Sequence, residues 1–238
     1  MCSTIGKAGS NSKVCVPFAK AFLTIIIIGN FVSPLSKFIL DNSIKGFLDD
    51  REGDALNQYA ATVANIGPCL EVGSYCGKST VYIGDACKQT DNTLFAIDHH
   101  RGSEEHQLGE EYHDASLFDA DNVCMDSFPT FRRNMKVAAL EDCVVPIVSA
   151  SATVARHWQT PLGFVFIDGG HSPENAMRDC KLWSEKLAVG GVFAVHDLFE
   201  KPEEGGQGPY LAFQSLLDSG CFKKIDQVLS LGFIRKLV

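Results

Sequence analysis

Five short apolar runs, each followed by a stretch with helical spacing, constrain this chain more than any other feature. They are Cys69–Val72, Leu94–Ile97, Val144–Val148, Phe164–Ile167 and Val192–Val195. Runs this short, bounded by turn signals, read as strands buried on both faces, which requires helices on both sides of a parallel sheet. The spacing predicts helices over 78–88, 127–139, 151–158, 172–187 and 209–218, with Ser151 as a cap and Pro173 in a first turn. Gly190-Gly191 reads as the turn into the fifth strand. Two later runs, Phe222–Leu229 and Leu231–Leu237, have almost no linker between them and must pair antiparallel. The fold class is therefore α/β, a doubly wound and mostly parallel sheet.

The first strand carries the most informative turn. Cys69-Leu-Glu71-Val runs into Gly73, Ser74, Tyr75, Cys76 and Gly77, and a helical pattern starts at Lys78-Ser79. Gly73 lets the chain turn sharply off the strand, and Gly77 lets the helix begin close to the sheet. Such a turn aims free N–H groups at a ligand beyond the strand ends. A dinucleotide site wants Gly-x-Gly-x-x-Gly, and position 75 is Tyr. A P-loop has the same Gly-Lys-Ser ending but is one residue longer. The pattern that is met is acid-x-Gly-x-x-x-Gly, on Glu71, Gly73 and Gly77. Four of the five strands also finish at or beside an acid: Glu71, Asp98, Asp168 and Asp197. An acid at the end of the second strand is placed to take both ribose hydroxyls of an adenosine. A P-loop has no task for Asp98, although Phe164–Asp168 imitates a Walker B strand.

On Glu71, Gly73 and Gly77 the chain resembles the class I S-adenosylmethionine-dependent methyltransferases, whose first motif has that form. Phe166-Ile-Asp168-Gly-Gly-His171-Ser-Pro-Glu174 and Gly190-Gly-Val-Phe-Ala-Val-His196-Asp197 narrow the resemblance. They are similar to the subgroup of small-molecule methyltransferases that includes macrocin-type sugar O-methyltransferases and cephalosporin-hydroxylase-like proteins, over about residues 52–238. The resemblance implies a Rossmann-like, seven-stranded sheet with an antiparallel last strand. It implies S-adenosyl-L-methionine as cofactor, held by Glu71, Gly73, Gly77 and Asp98, with Tyr75, Lys78, Ser79 and His99 as neighbours. Ser149 to Ser151 falls where such proteins hold the adenine. In some relatives, acids at the fourth and fifth strand ends bind a divalent metal, so Asp168 with His196 or Asp197 would hold Mg²⁺ or a similar ion. The second of these ends reads His-Asp here, where those relatives have two acids. The metal-free form of the chemistry uses His171 or His196, beside Asp168, as the base that takes a proton from an acceptor hydroxyl.

The activity expected is methyl transfer to a small molecule, most often at oxygen. A P-loop-type phosphotransferase or NTPase is the alternative enzyme, and a non-catalytic S-adenosylmethionine-binding protein is the alternative outside catalysis. A formal charge of -8 argues against a sequence-independent grip on nucleic acid. Nine cysteines, an odd number without a C-x-x-C, read as free thiols in a reducing, cytoplasmic compartment. Residues 1–50 form an N-terminal extension and 51–238 the methyltransferase domain. Within the extension, Val14–Val32 is strongly apolar but interrupted by Lys20 and Asn30, which suits packing on the domain or in a homodimer better than crossing a membrane. Helical spacing over 33–50 and 52–65 suggests helices that cap the cofactor site. The polar loop from His99 to about Asp121 and the Gly-rich loop from Glu200 to Tyr210 are expected to close over the acceptor.

Overall fold

The computed structural model describes residues 32–102 and 114–238. Apart from Val32, the apolar segment 14–32 lies outside the described residues, as do 103–113 of the long loop. Among the described residues, no helix is long and apolar enough to cross a membrane.

From the N-terminus come helices α1 (Pro34–Asp41) and α2 (Asp50–Thr62), then β1 (Cys69–Val72), α3 (Lys78–Gln89) and β2 (Leu94–Asp98). A 3-10 turn at Ala115–Leu117 leads into a small ribbon, β3 (Phe118–Asp119) and β4 (Cys124–Met125). Next are α4 (Phe128–Val137), β5 (Val144–Val148), α5 (Ser151–Ala155), β6 (Leu162–Ile167) and α6 (Pro173–Ser184). The chain closes with β7 (Leu187–Val195), α7 (Gly208–Asp218), β8 (Phe222–Val228) and β9 (Leu231–Lys236).

The main sheet is seven-stranded in the order β5-β2-β1-β6-β7-β9-β8. β9 runs antiparallel to β7 and to β8. The winding reverses between β1 and β6, and a sheet of this kind opens its ligand crevice at that reversal. Register decides what lines the crevice. Val72 pairs with Ile97 and with Ile167, and Ile167 with Val195. The next residues along, Gly73, Asp98, Asp168 and His196, therefore emerge in one row.

Alternation along the strands sorts the core. Cys69, Phe164, Phe166, Val192 and Ala194 pack under α1 to α4 on one face. Leu70, Val72, Val165, Ile167, Phe193 and Val195 pack under α5 to α7 on the other.

Several boundaries differ from the sequence reading. The helix expected over 33–50 stops at Asp41: the Asn42 side chain donates to Phe38 O and Ser43 turns to φ 53°, breaking the ladder. The chain re-enters helix through a capping box on Asp49 and Glu52. Gly190-Gly191 is not a turn. β7 runs through both residues, the register against β6 shifts opposite them, and Gly190 sits at φ 84°. Helix α5 ends at Ala155, and its cap is Ala150 rather than Ser151.

Candidate functional site

The turn after β1 is shaped by what lies beneath it. Gly73 has φ 88°, and a Cβ there would stand 2.0 Å from the Asp168 carbonyl oxygen, so only glycine lets the turn cross the end of β6. Asp98 fastens the same turn from β2. Its Oδ2 accepts from the Ser74 and Tyr75 N–H groups at 2.9 and 2.8 Å, and its Oδ1 from the His100 N–H at 2.8 Å. Those bonds hold Tyr75 at φ 45°, a conformation few side chains adopt. Gly77 precedes α3 at φ 92° and offers no side-chain cap, leaving the first N–H groups of that helix for a ligand.

Three side chains expected at the cofactor are engaged with the protein itself, although Lys78 and Ser79 still border the larger cavity. Strand alternation turns Glu71 to the α3 side, where it is fully buried. Its Oε1 accepts from Ser79 Oγ at 2.6 Å and its Oε2 from Thr80 Oγ1 at 2.5 Å. Burial outweighs those bonds and pushes its carboxyl up to about 7. Glu71 thus braces the start of α3 from behind and lines neither cavity, while Ser79 edges the larger one with its hydroxyl turned inward. The Lys78 ammonium donates to Leu48 O at 2.6 Å and lies 3.3 Å from Asp50, tying α3 to the α1–α2 connection.

Two adjoining cavities open above the row of strand ends. One of about 320 Å³ runs from Gly73, Asp98 and His99 to Ser149, Ser151 and α6. The other, about 600 Å³, reaches Phe47, Tyr75, Asp168, Asp197 and Phe199. Gly73, Asp98, His99 and His171 border both. His100, beside His99, is instead buried; its Nδ1 bonds Ser127 Oγ at 2.8 Å, and burial lowers its pKa. Ser151 Oγ accepts from the Trp183 indole at 2.7 Å. Of the loop His99–Asp121, residues 103–113, with Glu104, Glu105, His106 and His113, lie outside the described residues.

The strongest charge coupling sits at the ends of β6 and β7. His196 is 6% exposed, and both ring nitrogens are engaged: Nδ1 lies 3.1 Å from Asp168 Oδ1 and Nε2 3.0 Å from Glu52 Oε2. Burial disfavours its charge, but Asp168, Asp197 and Glu52 together raise its pKa far above the histidine range. A charged imidazole with both nitrogens donating has no lone pair for a proton or a metal. The base and ligand roles expected of His196 are therefore closed to it. His171 Nε2 lies 3.0 Å from Asp197 Oδ2. Burial opposes ionisation of Asp197, but hydrogen bonds from His171 and His196 hold its carboxyl well below the usual range. Asp168, His171 and Asp197 each offer a ligand atom, and these atoms lie within 4.8 Å of one another.

Glu52 was not singled out from sequence. It is 2% exposed, and it also accepts from the Asp49 N–H at 3.1 Å and from Ser230 N and Oγ at 3.0 and 2.9 Å. Its only trace in the sequence is Asp49-x-x-Glu52, the signature of a helix cap.

Residues 70–198 match a family model described as a methyltransferase domain. Among solved structures, the chain is similar to the O-methyltransferase TomG from Streptomyces achromogenes, solved with S-adenosylmethionine: 13% identity, 86% of this chain and 88% of that one, TM-score 0.58. The O-methyltransferase NovP matches at 16% identity over 79% of this chain and 81% of its own, with TM-score 0.62. An O-methyltransferase from Bacillus cereus in complex with S-adenosylhomocysteine matches at 14% identity over 86% and 90%, with TM-score 0.57. Identities this low establish a shared fold. The family model covers more than half of the sequence and includes the glycine turn, Asp98 and the β6 and β7 ends, so the chain belongs to the methyltransferase-domain family and is a class I S-adenosylmethionine-dependent methyltransferase.

Proposed function

We propose that the protein methylates a hydroxyl oxygen of a small molecule held in the larger cavity, with S-adenosylmethionine lying along the smaller one. The donor chemistry fits the cofactor. Asp98 sits where a ribose would meet it, the acids suit the sulfonium and ammonium, and the uncapped start of α3, which borders the adjoining larger cavity, suits the carboxylate. Gly73, Asp98, His99 and Ser151 form the proposed cofactor wall in the smaller cavity, Tyr75, Lys78 and Ser79 border the adjoining larger one, and Gly77 and Glu71 shape the turn from outside both. Lys78 also weighs against a phosphotransferase, because the ammonium such a loop needs is bonded to Leu48 O.

The single observation behind the reading is the position of His171. It borders both cavities, at the junction where a methyl donor and an acceptor hydroxyl would meet. Bonded to Asp197, its imidazole is oriented to take the hydroxyl proton, while Asp168 stays paired with His196. Transfer then depends on holding the oxygen in line with the methyl group.

A second reading rests on the cluster geometry. Two carboxylates and one imidazole, on Asp168, Asp197 and His171, make a donor set that Mg²⁺ or a first-row divalent ion would accept. Such an ion, when bound, would lower the pKa of the acceptor hydroxyl.

Calorimetry with S-adenosylhomocysteine and with ATP-Mg²⁺, followed by methyl transfer to a panel of hydroxylated acceptors, tests the proposal. S-adenosylhomocysteine should bind, and His171→Asn should keep that affinity while losing turnover. A protein that binds ATP-Mg²⁺ and ignores S-adenosylhomocysteine would overturn it.

A further inference from the structure

Two buried residues behind the cofactor turn depart from their local habits, and they depart toward each other. Ser127 stands at the N-cap of α4, where a serine hydroxyl ordinarily accepts from the first N–H groups of the helix. It makes no such bond, and Asp126 Oδ1 takes the Phe128 N–H at 3.1 Å instead. The Ser127 hydroxyl turns to His100 Nδ1 at 2.8 Å, and the Ser127 N–H donates to His100 O at 3.2 Å. His100 in turn sits at φ 57°, in the left-handed region that non-glycine residues seldom enter. Packing alone does not call for the pair. The imidazole lies among Phe128 and Phe131, with ring centroids 5.0 and 5.3 Å away. A phenyl ring would suit that cluster without bringing two polar groups into it.

The backbone of His100 shows what the pair achieves. Its N–H donates to Asp98 Oδ1 at 2.8 Å, while Oδ2 takes the Ser74 and Tyr75 N–H groups. Ser127 grips His100 at both ring and carbonyl, and so keeps it in the left-handed turn that brings this N–H back onto the strand end. A carboxylate has about four acceptor sites, two on each oxygen. Both on Oδ2 are filled, so Oδ1, the oxygen that His100 holds, keeps the capacity for a ligand. We infer that His100, locked by Ser127, is a positioning residue that aims Asp98 Oδ1 at the ribose hydroxyls of the cofactor. The inference rests on the proposed cofactor position in the smaller cavity. It asks nothing of His100 at the ligand itself, and His100 lines neither cavity.

The test is calorimetry on the full chain with S-adenosylhomocysteine and with its dideoxyribosyl analogue, which lacks both ribose hydroxyls. The proteins are the wild type, His100→Asn, His100→Phe and Ser127→Ala, each checked by its melting temperature. The wild type should prefer the ribosyl compound by at least about tenfold. Asn enters the left-handed region readily and its amide can meet the Ser127 hydroxyl, so His100→Asn should keep that preference within about threefold, despite losing the ring. His100→Phe keeps a ring without the bond, and Ser127→Ala loses the bond alone; in both, the two affinities should come within about threefold of each other. A role in packing alone gives other patterns. Either His100→Phe keeps the wild-type preference, or every variant weakens both compounds together and leaves their ratio intact. Each of these would overturn the inference, and so would equal affinities in the wild type, a result that needs no variant to fold. Failure of the wild type to bind either compound would instead bring down the cofactor placement, and this inference with it.

Discussion

Glu52 Oε2 and His196 Nε2 lie 3.0 Å apart although 144 residues separate them in the chain. The pair joins α2, which precedes the family-matched residues, to the end of β7, and through Ser230 to the turn between β8 and β9. Burial works against the Glu52 charge, but His196, Ser230 and the Asp49 N–H hold its carboxyl below the usual range. His196 in turn passes its second N–H to Asp168. A helix outside the family-matched stretch thereby fixes the orientation of an acid at the heart of the site.

Removing Glu52 should therefore be expensive for the fold. Glu52→Ala leaves a buried imidazolium and two Ser230 donors without an acceptor, and breaking a buried pair of this kind costs about 3–5 kcal/mol. Glu52→Gln should cost less, because it keeps the shape. Since the folded-state pKa of Glu52 is lowered, its contribution is present above the unfolded value of 4.5 and lost as pH falls below it. Urea denaturation should show a constant gap between wild type and Glu52→Gln near neutrality that narrows on acidification. A gap that widened at low pH would contradict the assignment of charge.

Glu71 predicts the opposite pH dependence. Its folded-state carboxyl is pushed up to about 7 from 4.5 by complete burial. Below about 4.5 it is protonated whether folded or not, and no penalty applies. As pH rises from there to about 7, the unfolded chain releases the proton first, and stability falls by about 3 kcal/mol. Glu71→Gln has no proton to release, and the Ser79 and Thr80 hydroxyls can reverse to suit an amide. The variant should gain on the wild type by about that amount between about pH 4 and about pH 8 in paired urea titrations. Parallel curves would mean that the carboxyl is not the titrating group.

Much of this was legible from residue order, and the misses have physical causes. Apolar runs and helical spacing place the strands because the period of burial is written locally in the chain. The row of Gly73, Asp98, Asp168 and His196 follows from parallel register once each strand end is known. Glu71 was misassigned because its nearness to the glycine turn outweighed its strand parity with Cys69, which turns it to the α3 face. His196 and Asp197 looked interchangeable as site residues. Only three-dimensional contacts show that one imidazole is clamped by Glu52 and Asp168 while His171 meets Asp197. Glu52 itself reads locally as a cap, and nothing in its neighbourhood reveals a partner at the far end of the chain.

Asp98 carries two duties that one substitution will disturb together. Asp98→Ala should weaken S-adenosylhomocysteine binding by at least about tenfold, through lost ribose hydrogen bonds. It also deprives the Ser74, Tyr75 and His100 N–H groups of their acceptor. A stability loss of about 1–3 kcal/mol should accompany the weaker binding. Calorimetry and chemical denaturation on the same preparation would show both effects. Lost stability with unchanged affinity would leave Asp98 as a turn fastener and place the sugar elsewhere.

The same coupling of charge decides what a chelator should do. Asp168 and Asp197 each have an imidazole within hydrogen-bond reach, His196 for the first and His171 for the second, and that pairing holds both acids in place without a metal. Methyl transfer should therefore survive exhaustive treatment with EDTA, and His171→Asn should lower turnover by about 10²–10⁴-fold, the usual worth of a positioned base. Asp168→Asn should also lose activity while staying folded, because an amide can accept the His196 N–H but no longer offers the charge that holds the imidazolium. If EDTA instead abolishes turnover, and Mn²⁺ or Mg²⁺ restores it while raising the melting temperature of the wild type but not of Asp197→Asn, then His171 is a ligand, not the base.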